Sequence, residues 1–275
     1  MTRRRDIERK HRGLEEIRGI VNSMKTLAYM ETRKLAAFLD AQQQSLDAIE
    51  SAADDFLQFY PELLPASEGL VDTYLVIGSE RGFCGDFNRR IETSLDALLT
   101  QRSTTTPKLI ALGRKLHPAI LQQDPTAELL PGAGVQEEIP PLLDNLSQVF
   151  GRLARSEGIG SLTALFHGSE GGIETRPLLP PFSSLSPPAG DVLTPPLLNI
   201  TPEDFFGGLT EHYLFAVLHW VLYISLMAEN RQRVAHLEGA IRHLDNQSLK
   251  LKHLYNVLRQ EEIIEEIEVI LLNTG

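Results

Sequence analysis

The stretch that decides the fold is TYLVIGSERGFCGDFN, residues 73–88. It predicts a β-strand that ends at Gly78, a glycine-rich turn and the first residues of a helix, FNRRIETSLDALLTQ. Two comparable runs follow, KLIALG at 108–113 and LTALFHG at 162–168, with helix-like segments between the runs. Because alternation of strand, glycine turn and helix is typical of α/β domains, we predict a small Rossmann-like α/β domain over residues 70–200.

Long helices are predicted on both sides of this domain, over residues 1–60 and 203–275. In the first, heptad seams that start at Ile7 and at Lys10 carry twelve apolar residues at sixteen positions, which requires a partner helix. The second contains no proline, and Thr201-Pro202-Glu203-Asp204 before and at its start has the residue types of a helix N-terminus. We therefore predict that the two helices form an antiparallel coiled coil.

Composition excludes several classes of function. A net charge of −11 and a pI near 5.2 argue against a nucleic-acid-binding protein, which needs a dominant basic surface. The single cysteine allows no internal disulfide and no thiol pair for zinc, and fits a reducing compartment. The N-terminal arginines precede no apolar run, so no secretory signal is expected.

The longest apolar run, Leu214–Ala228, predicts a buried helix. Its fifteen residues fall short of the roughly 20 that span a bilayer, so we expect no transmembrane segment. His219 lies inside this run, and we interpret it as a hydrogen-bonded core histidine, since no metal-ligating residue lies three or four positions away.

The turn after Gly78 does not match a phosphate-binding loop. A P-loop needs Lys and then Ser or Thr after its last glycine, whereas Asp86 follows Gly85 here, and the glycine spacing of four and three departs from the dinucleotide pattern. Cys84 has the favourable neighbour Arg81 for thiolate formation, but the local sequence offers no general base. We expect a packed thiol, and no catalytic residue, cofactor site or metal site.

Charge is distributed unevenly along the chain. Basic side chains crowd residues 3–12 and glutamates crowd residues 261–268. These clusters allow two interpretations, two solvated helix faces or a surface that contacts partners.

Taken together, the pieces resemble the γ subunit of the F-type rotary ATP synthase, and the resemblance covers essentially the whole chain. The segment IVNSMKTLAYMETRKL at 20–35 is similar to the family's N-terminal motif, and SERGFCGDFN at 79–88 resembles its glycine and cysteine loop. MAENRQRV and LYNVLRQEEIIEEIEVI resemble its C-terminal signature, with ALGRK as a weaker fourth match. Residues of the C-terminal signature that stand on family positions are Arg233, Asn256, Arg259, Gln260, Ile263 and Glu266.

The resemblance implies a non-catalytic subunit that couples ion-driven rotation of a membrane ring to conformational change at the catalytic sites of β chains. It implies the α and β subunits, the ε subunit and the membrane rotor ring as partners, at the cytoplasmic face of the inner membrane. The tip of the C-terminal helix would turn inside an apolar sleeve. The implied residues for partner contact are Met24, Lys25, Arg81, Gly82, Cys84, Gly85, Arg233, Arg259, Gln260, Ile263 and Glu266.

Four positions depart from the family pattern, namely Glu80, Asp86, Ile264 and Val269. They lead us to the hypothesis of a divergent branch, the alternative, sodium-associated type. Two other functions stay open at this stage. One is a coiled-coil scaffold protein with an α/β head that binds another helix, and the other is a nucleotide or thiol enzyme that uses the loop at 78–85.

Overall fold

The computed structural model describes residues 2–64, 71–101, 107–156, 158–183 and 197–273. The chain divides into two compact units. The two-helix unit comprises Met1–Tyr29 and Arg233–Gly275, and the α/β unit comprises Met30–Gln232.

Five α-helices and five β-strands make up the described part of the chain. In order they are α1 Thr2–Leu57, β1 Val71–Ile77, α2 Phe87–Gln101, β2 Lys108–Leu112, α3 His117–Gln123, β3 Glu128–Leu130, α4 Ile139–Ser156, β4 Ile159–His167, β5 Ile173–Leu179 and α5 Pro202–Asn273. Short 3-10 turns lie at Pro61–Leu63 and Gln136–Glu138. Both α1 and α5 contribute residues to each unit.

A five-stranded sheet with the order β3-β2-β1-β4-β5 forms the centre of the α/β unit. The strands β1 to β4 are parallel, and β5 lies antiparallel to β4 at one edge. The order reverses at β1, which has β2 on one side and β4 on the other. Connections of the βαβ type bring the carboxyl ends of the parallel strands to one edge, where ligands bind in this class of sheet.

The sheet is covered on both faces. Leu75 and Ile77 of β1 join a cluster with apolar side chains of α1, α4 and α5, while Tyr74 and Val76 join a second cluster with side chains of α2 and α3. Alternation along a strand sends successive side chains to opposite faces. The result is a three-layer α/β arrangement, and the predicted fold class is confirmed.

In the two-helix unit, the start of α1 and the end of α5 run antiparallel. Arg4 Nη1 donates to Glu262 Oε2 at 2.7 Å, and Arg18 Nε donates to Asp245 Oδ1 at 2.5 Å. The two helices run in opposite directions, because the earlier residue of α1, Arg4, pairs with the later residue of α5, Glu262. Among the described residues of this unit, four apolar side chains are buried: Ile7, Ala28, Leu237 and Ile241.

The seam of α1 is partly as predicted. Of the eight positions in register with Ile7, four are buried (Ile7, Ala28, Leu35 and Phe56) and the other four are half-buried. The predicted second seam is wrong, because Ile17 is 50% exposed and Phe38 is 47% exposed. Within the α/β unit, three residues that lie four positions after the first seam are buried instead, namely Leu39, Leu46 and Ala53. Within the α/β unit, α1 packs on a broad core with α4, α5 and the sheet, so its apolar stripe follows the 3.6-residue helical period.

Helix α5 begins with the cap that its sequence predicts. The backbone N–H of Asp204 donates to Thr201 Oγ1 at 3.1 Å, and that hydroxyl donates to Asp204 Oδ2 at 2.8 Å. This reciprocal arrangement satisfies one of the free amides at the helix start. The proline-rich stretch before it falls partly at 184–196, outside the described residues.

The apolar run of α5 lies in the core of the α/β unit. One 18-residue window of this helix is long and apolar enough, by composition, to cross a membrane, but 56% of it is buried within the protein. Val217 and Val221 are fully buried, which is typical of a core helix. The Nδ1 atom of His219 is buried and has no hydrogen-bond partner among the described residues, so the predicted hydrogen bond is wrong there. Its ring instead stacks on Tyr223, with centroids 5.5 Å apart.

Candidate functional site

The loop between β1 and α2 lies at the carboxyl edge of the sheet. Position 78 requires glycine, because a Cβ there would come within 2.6 Å of Leu116 Cβ. The turn also uses left-handed backbone at Gly85, with φ of 61°, and at Phe83, with φ of 64°. Phe83 is a non-glycine residue in a sparsely populated region, and its side chain is 56% exposed.

Glu229 of α5 holds this loop against the helix. Its carboxylate oxygens accept hydrogen bonds from the backbone N–H groups of Glu80 at 3.3 Å and Arg81 at 3.4 Å, and its side chain is 2% exposed. One turn further along α5, Gln232 Nε2 donates to Asp86 Oδ1 at 3.1 Å. Loop and helix are therefore tied together at both ends of the turn.

Glu80 joins the segments that follow three neighbouring strands. Its Oε2 accepts from the backbone N–H of Gly132 at 2.8 Å and of Arg114 at 3.1 Å. The guanidinium of Arg114 lies 3.2 Å from Oε1. At the base of the loop, Asn88 Oδ1 accepts from the Ser79 N–H, and its Nδ2 donates to Ser79 Oγ, both at 2.9 Å.

The geometry does not favour a phosphate-cradling loop. Two successive backbone N–H groups, those of Glu80 and Arg81, point toward one anion, as in a phosphate-binding nest. That anion is Glu229 of the same chain. The amides that would bind a phosphate are already satisfied.

Cys84 is a packed thiol, as the sequence predicts. Its side chain is 5% exposed, and Sγ lies 3.4 Å from the carbonyl oxygens of Arg81 and Gly82. Burial against backbone carbonyls disfavours the thiolate that a nucleophile needs. Within the described ranges, no cluster of three His, Cys, Asp or Glu side chains could hold a metal ion.

His167 lies near the loop, at the carboxyl end of β4. Its ring stacks on Phe87 with centroids 3.7 Å apart, and Nε2 lies 2.9 Å from the Phe87 carbonyl oxygen. Burial lowers the pKa of His167 below its ordinary value, and the hydrogen bond to Phe87 opposes this shift. The neutral ring that donates to this carbonyl is the form that the fold favours.

The structure brings some of the predicted contact residues together and separates others. Arg81, Gly82, Cys84 and Gly85 share the loop of the α/β unit. The other seven belong to the two-helix unit. There, Met24 and Lys25 are half-buried, Arg233 is buried at 5% exposure, and the four residues at 259–266 are exposed.

The basic cluster at the N-terminus is paired in part within the two-helix unit. Arg4 bonds Glu262 across the helices, while Arg9 pairs with Asp6 and Arg12 with Glu8 along α1. The Arg9 and Arg12 pairs are exposed, and exposed ion pairs contribute little to stability. They favour the solvated-face interpretation for these arginines.

Sequence reasoning missed Glu229 and Glu80 as structural centres of the site. The available signal was a glutamate directly after the apolar run that ends at Ala228. A carboxylate on a buried helix face needs polar partners, and here the loop supplies them.

A sequence model of the ATP synthase family matches residues 3–272. The chain belongs to this family. Relatives include the ATP synthase gamma chain of Clostridium beijerinckii, 23% identical over 96% of this chain and 95% of the relative. The ATP synthase gamma chain of a Wolbachia species from Brugia malayi is 26% identical, over 92% of this chain and 94% of the relative.

Solved structures show the same fold. The chain resembles a chain of the Euglena gracilis mitochondrial ATP synthase rotor with a TM-score of 0.62 and 16% identity, over 95% of this chain and 99% of that one. A chain of the Tetrahymena thermophila ATP synthase central stalk and c-ring has a TM-score of 0.56, 16% identity and coverages of 80% and 99%. The family predicted from the sequence is confirmed.

Proposed function

We propose that this chain is the central rotor shaft of a rotary ATP synthase and a non-catalytic subunit of that complex. The observation that carries the proposal is the pairing of α1 with α5 in both units, combined with the match of nearly the whole chain to ATP synthase gamma chains. A shaft needs stiffness rather than a reactive site, and two paired helices supply it.

Torque would pass between helices and sheet through polar ties in the α/β unit. Glu229 holds the loop after β1. At the β5 edge of the sheet, Arg176 Nη2 donates to Glu50 Oε1 of α1 at 2.5 Å. The guanidinium carbon of Arg176 lies 4.7 Å from the centroid of the Trp220 ring of α5. These contacts connect both long helices to the sheet, so we infer that the α/β unit turns as one body.

We further propose the α and β subunits, the ε subunit and the membrane rotor ring as partners. The exposed end of α5 supports contacts with a surrounding ring, because its apolar side chains alternate with glutamates. Ile263, Ile267 and Ile270 are 45%, 51% and 61% exposed. Apolar side chains that are exposed to this degree fit an apolar sleeve.

Among the polar residues proposed for partner contact, Arg259, Gln260 and Glu266 have exposed side chains. They suit hydrogen bonds that break and reform during rotation, whereas buried permanent ion pairs cost desolvation energy. Arg233 is buried, so we assign it to packing of the two-helix unit and expect it to act on partners only indirectly.

The test is the double variant Arg259→Ala/Gln260→Ala in a reconstituted complex. We expect fewer ions moved for each ATP hydrolysed. The matched control is Arg242→Ala/Asn246→Ala, two exposed positions on the same helix of the two-helix unit. Equal coupling in both variants would remove residues 259–260 from the proposal.

The wider assignment is tested by co-purification. Tagged full-length chain should bring down ATP synthase α and β chains. A chain recovered without them, as a stable particle bound to another helical protein, would instead support the scaffold function.

We propose that the complex places this chain at the cytoplasmic face of the inner membrane, as a peripheral protein. Membranes washed with a chelator at low salt should release it together with α and β chains. Retention after an alkaline wash would contradict peripheral attachment.

The sodium-associated branch also stays a proposal, supported by Asp86, Ile264 and Val269. The side chains of Ile264 and Val269 are 56% and 57% exposed, so both replacements alter the outer surface of the shaft. Sodium-stimulated ATP hydrolysis by the purified complex is expected, and hydrolysis indifferent to sodium would reject this branch.

A further inference from the structure

An open cleft of about 670 Å³ lies at the carboxyl edge of the sheet in the α/β unit. The segments that follow β1, β2 and β3 line it together with the start of α4. This is the edge at which open parallel α/β sheets bind ligands. The volume is within the usual range for small-molecule sites, about 300–1,000 Å³.

Two cations face the cleft without a carboxylate partner among the described residues. They are Arg81 and Lys115, and both have exposed side chains. Packing holds the Arg81 side chain over Gly134, where a Cβ would come within 2.5 Å of its Nε atom. In a chain with a net charge of −11, a local excess of positive charge marks this cleft as attractive to anions.

The carboxylates of the cleft are already used by the fold. Glu80 accepts from two backbone amides and pairs with Arg114. Glu138 accepts from the Gly134 N–H at 2.6 Å. Both oxygens of Glu80 and one oxygen of Glu138 are engaged in these contacts, which disfavours a cation as the ligand.

One wall of the cleft is apolar. Pro131, Pro141 and Leu142 form it, and Leu142 also belongs to the core that α4 shares with the sheet. A site with two free cations at one side and a fixed apolar surface at the other suits a ligand with a phosphate group and a ring.

We propose that this cleft binds a nucleoside phosphate, with its phosphates on Arg81 and Lys115 and its base against the proline and leucine wall. The contact between Glu229 and the loop after β1 is a separate feature. The backbone amides of that loop bond Glu229, whereas the proposed phosphate contacts in the cleft come from side chains. The inference does not depend on the rotor function, and failure of either leaves the other in place.

The experiment is titration calorimetry of the full-length chain with ATP, ADP and inorganic phosphate in phosphate-free, low-salt buffer. We expect one binding site that weakens with added salt. Arg81→Ala/Lys115→Ala should reduce affinity about tenfold or more, since charge-assisted hydrogen bonds to phosphate are lost. Arg89→Ala/Arg155→Ala removes the same charge from exposed positions of the same unit outside the cleft and should bind as the unaltered chain does.

Thermal unfolding of every variant verifies folding. Leu142→Ser alters the apolar wall and should weaken ADP binding while leaving inorganic phosphate binding unchanged. Equal affinity of ADP and inorganic phosphate would overturn the nucleoside part of the proposal. Unchanged binding in the Arg81 and Lys115 variant, or no heat with any of the three probes, would overturn the site. Protection of Lys115 from acetylation only by a purified partner chain would assign the cleft to an acidic protein segment instead.

Discussion

Replacing Glu229 by Gln should loosen the loop after β1 and destabilise the α/β unit. The carboxylate accepts two backbone hydrogen bonds, at 3.3 and 3.4 Å, and is 2% exposed. Gln keeps the shape of the side chain but turns one acceptor into an NH₂ donor that faces a backbone N–H. Hydrogen bonds to charged groups contribute about 1.5–3 kcal/mol each, and an unsatisfied buried donor costs about 1–3 kcal/mol. Since both bonds are long, we expect a loss of about 2–4 kcal/mol in the free energy of unfolding.

The assay is urea denaturation followed by the fluorescence of Trp220, the only tryptophan of the chain. This residue packs on the core of the same unit, so its emission reports unfolding of the unit that contains the loop. The control is Glu211→Gln, an exposed position on the same helix and in the same unit, which should change stability by less than about 0.5 kcal/mol.

Hydrogen exchange gives a local measurement of the same contact. The amides of Glu80 and Arg81 should exchange faster in Glu229→Gln than in Glu211→Gln. If the Glu229 variant matched the control in both stability and amide exchange, the carboxylate would not hold the loop, and the structural reasoning would be refuted.

Three further perturbations follow from the α/β unit. Gly113→Ala should lower the free energy of unfolding by more than about 2 kcal/mol, because φ is +97° and a Cβ would lie 2.6 Å from the Gly78 oxygen. The control is Gly172→Ala, where a Cβ would meet no atom within 4 Å. Equal denaturation midpoints of the two variants would contradict the steric argument. Since burial lowers the pKa of His167, the unfolded chain binds its proton at higher pH, so stability should fall as pH drops below about 6.5. His167→Leu should flatten that fall in urea titrations across this range, and an unaltered slope would exclude His167 as a contributor. Arg176→Lys should shift the emission of Trp220 and cost about 1–2 kcal/mol through lost stacking and ion-pair geometry, whereas an unchanged spectrum would show that the ring does not sense the guanidinium.

The elements with strong local signals were predictable. The helix FNRRIETSLDALLTQ occupies residues 87–101 as predicted, and the three apolar runs that end at glycine became β1, β2 and β4. Strand β3 has three half-buried residues and β5 is an antiparallel edge strand that contains Pro177. Neither carries the continuous apolar run of a buried parallel strand, so their sequence offered no comparable signal.

The candidate site was predictable only as a segment. Glycine spacing and the lone cysteine located the loop, and the residue after Gly85 disfavoured a P-loop. The partner of the loop lies 149 residues further along the chain, at Glu229, and no local pattern records such a pairing. The same limitation explains the second seam of α1, because the core that this helix joins in the α/β unit includes side chains of α4, α5 and the sheet.

Because Glu229 is covalently part of the chain, the loop that it fills needs no dissolved ligand to stay ordered. A nucleotide bound at such a turn would leave as its concentration fell, and the turn would loosen. Here the packing of α5 holds the carboxylate beside the loop. The hydrogen bonds from the Glu80 and Arg81 amides to Glu229 therefore do not depend on a molecule supplied from solution.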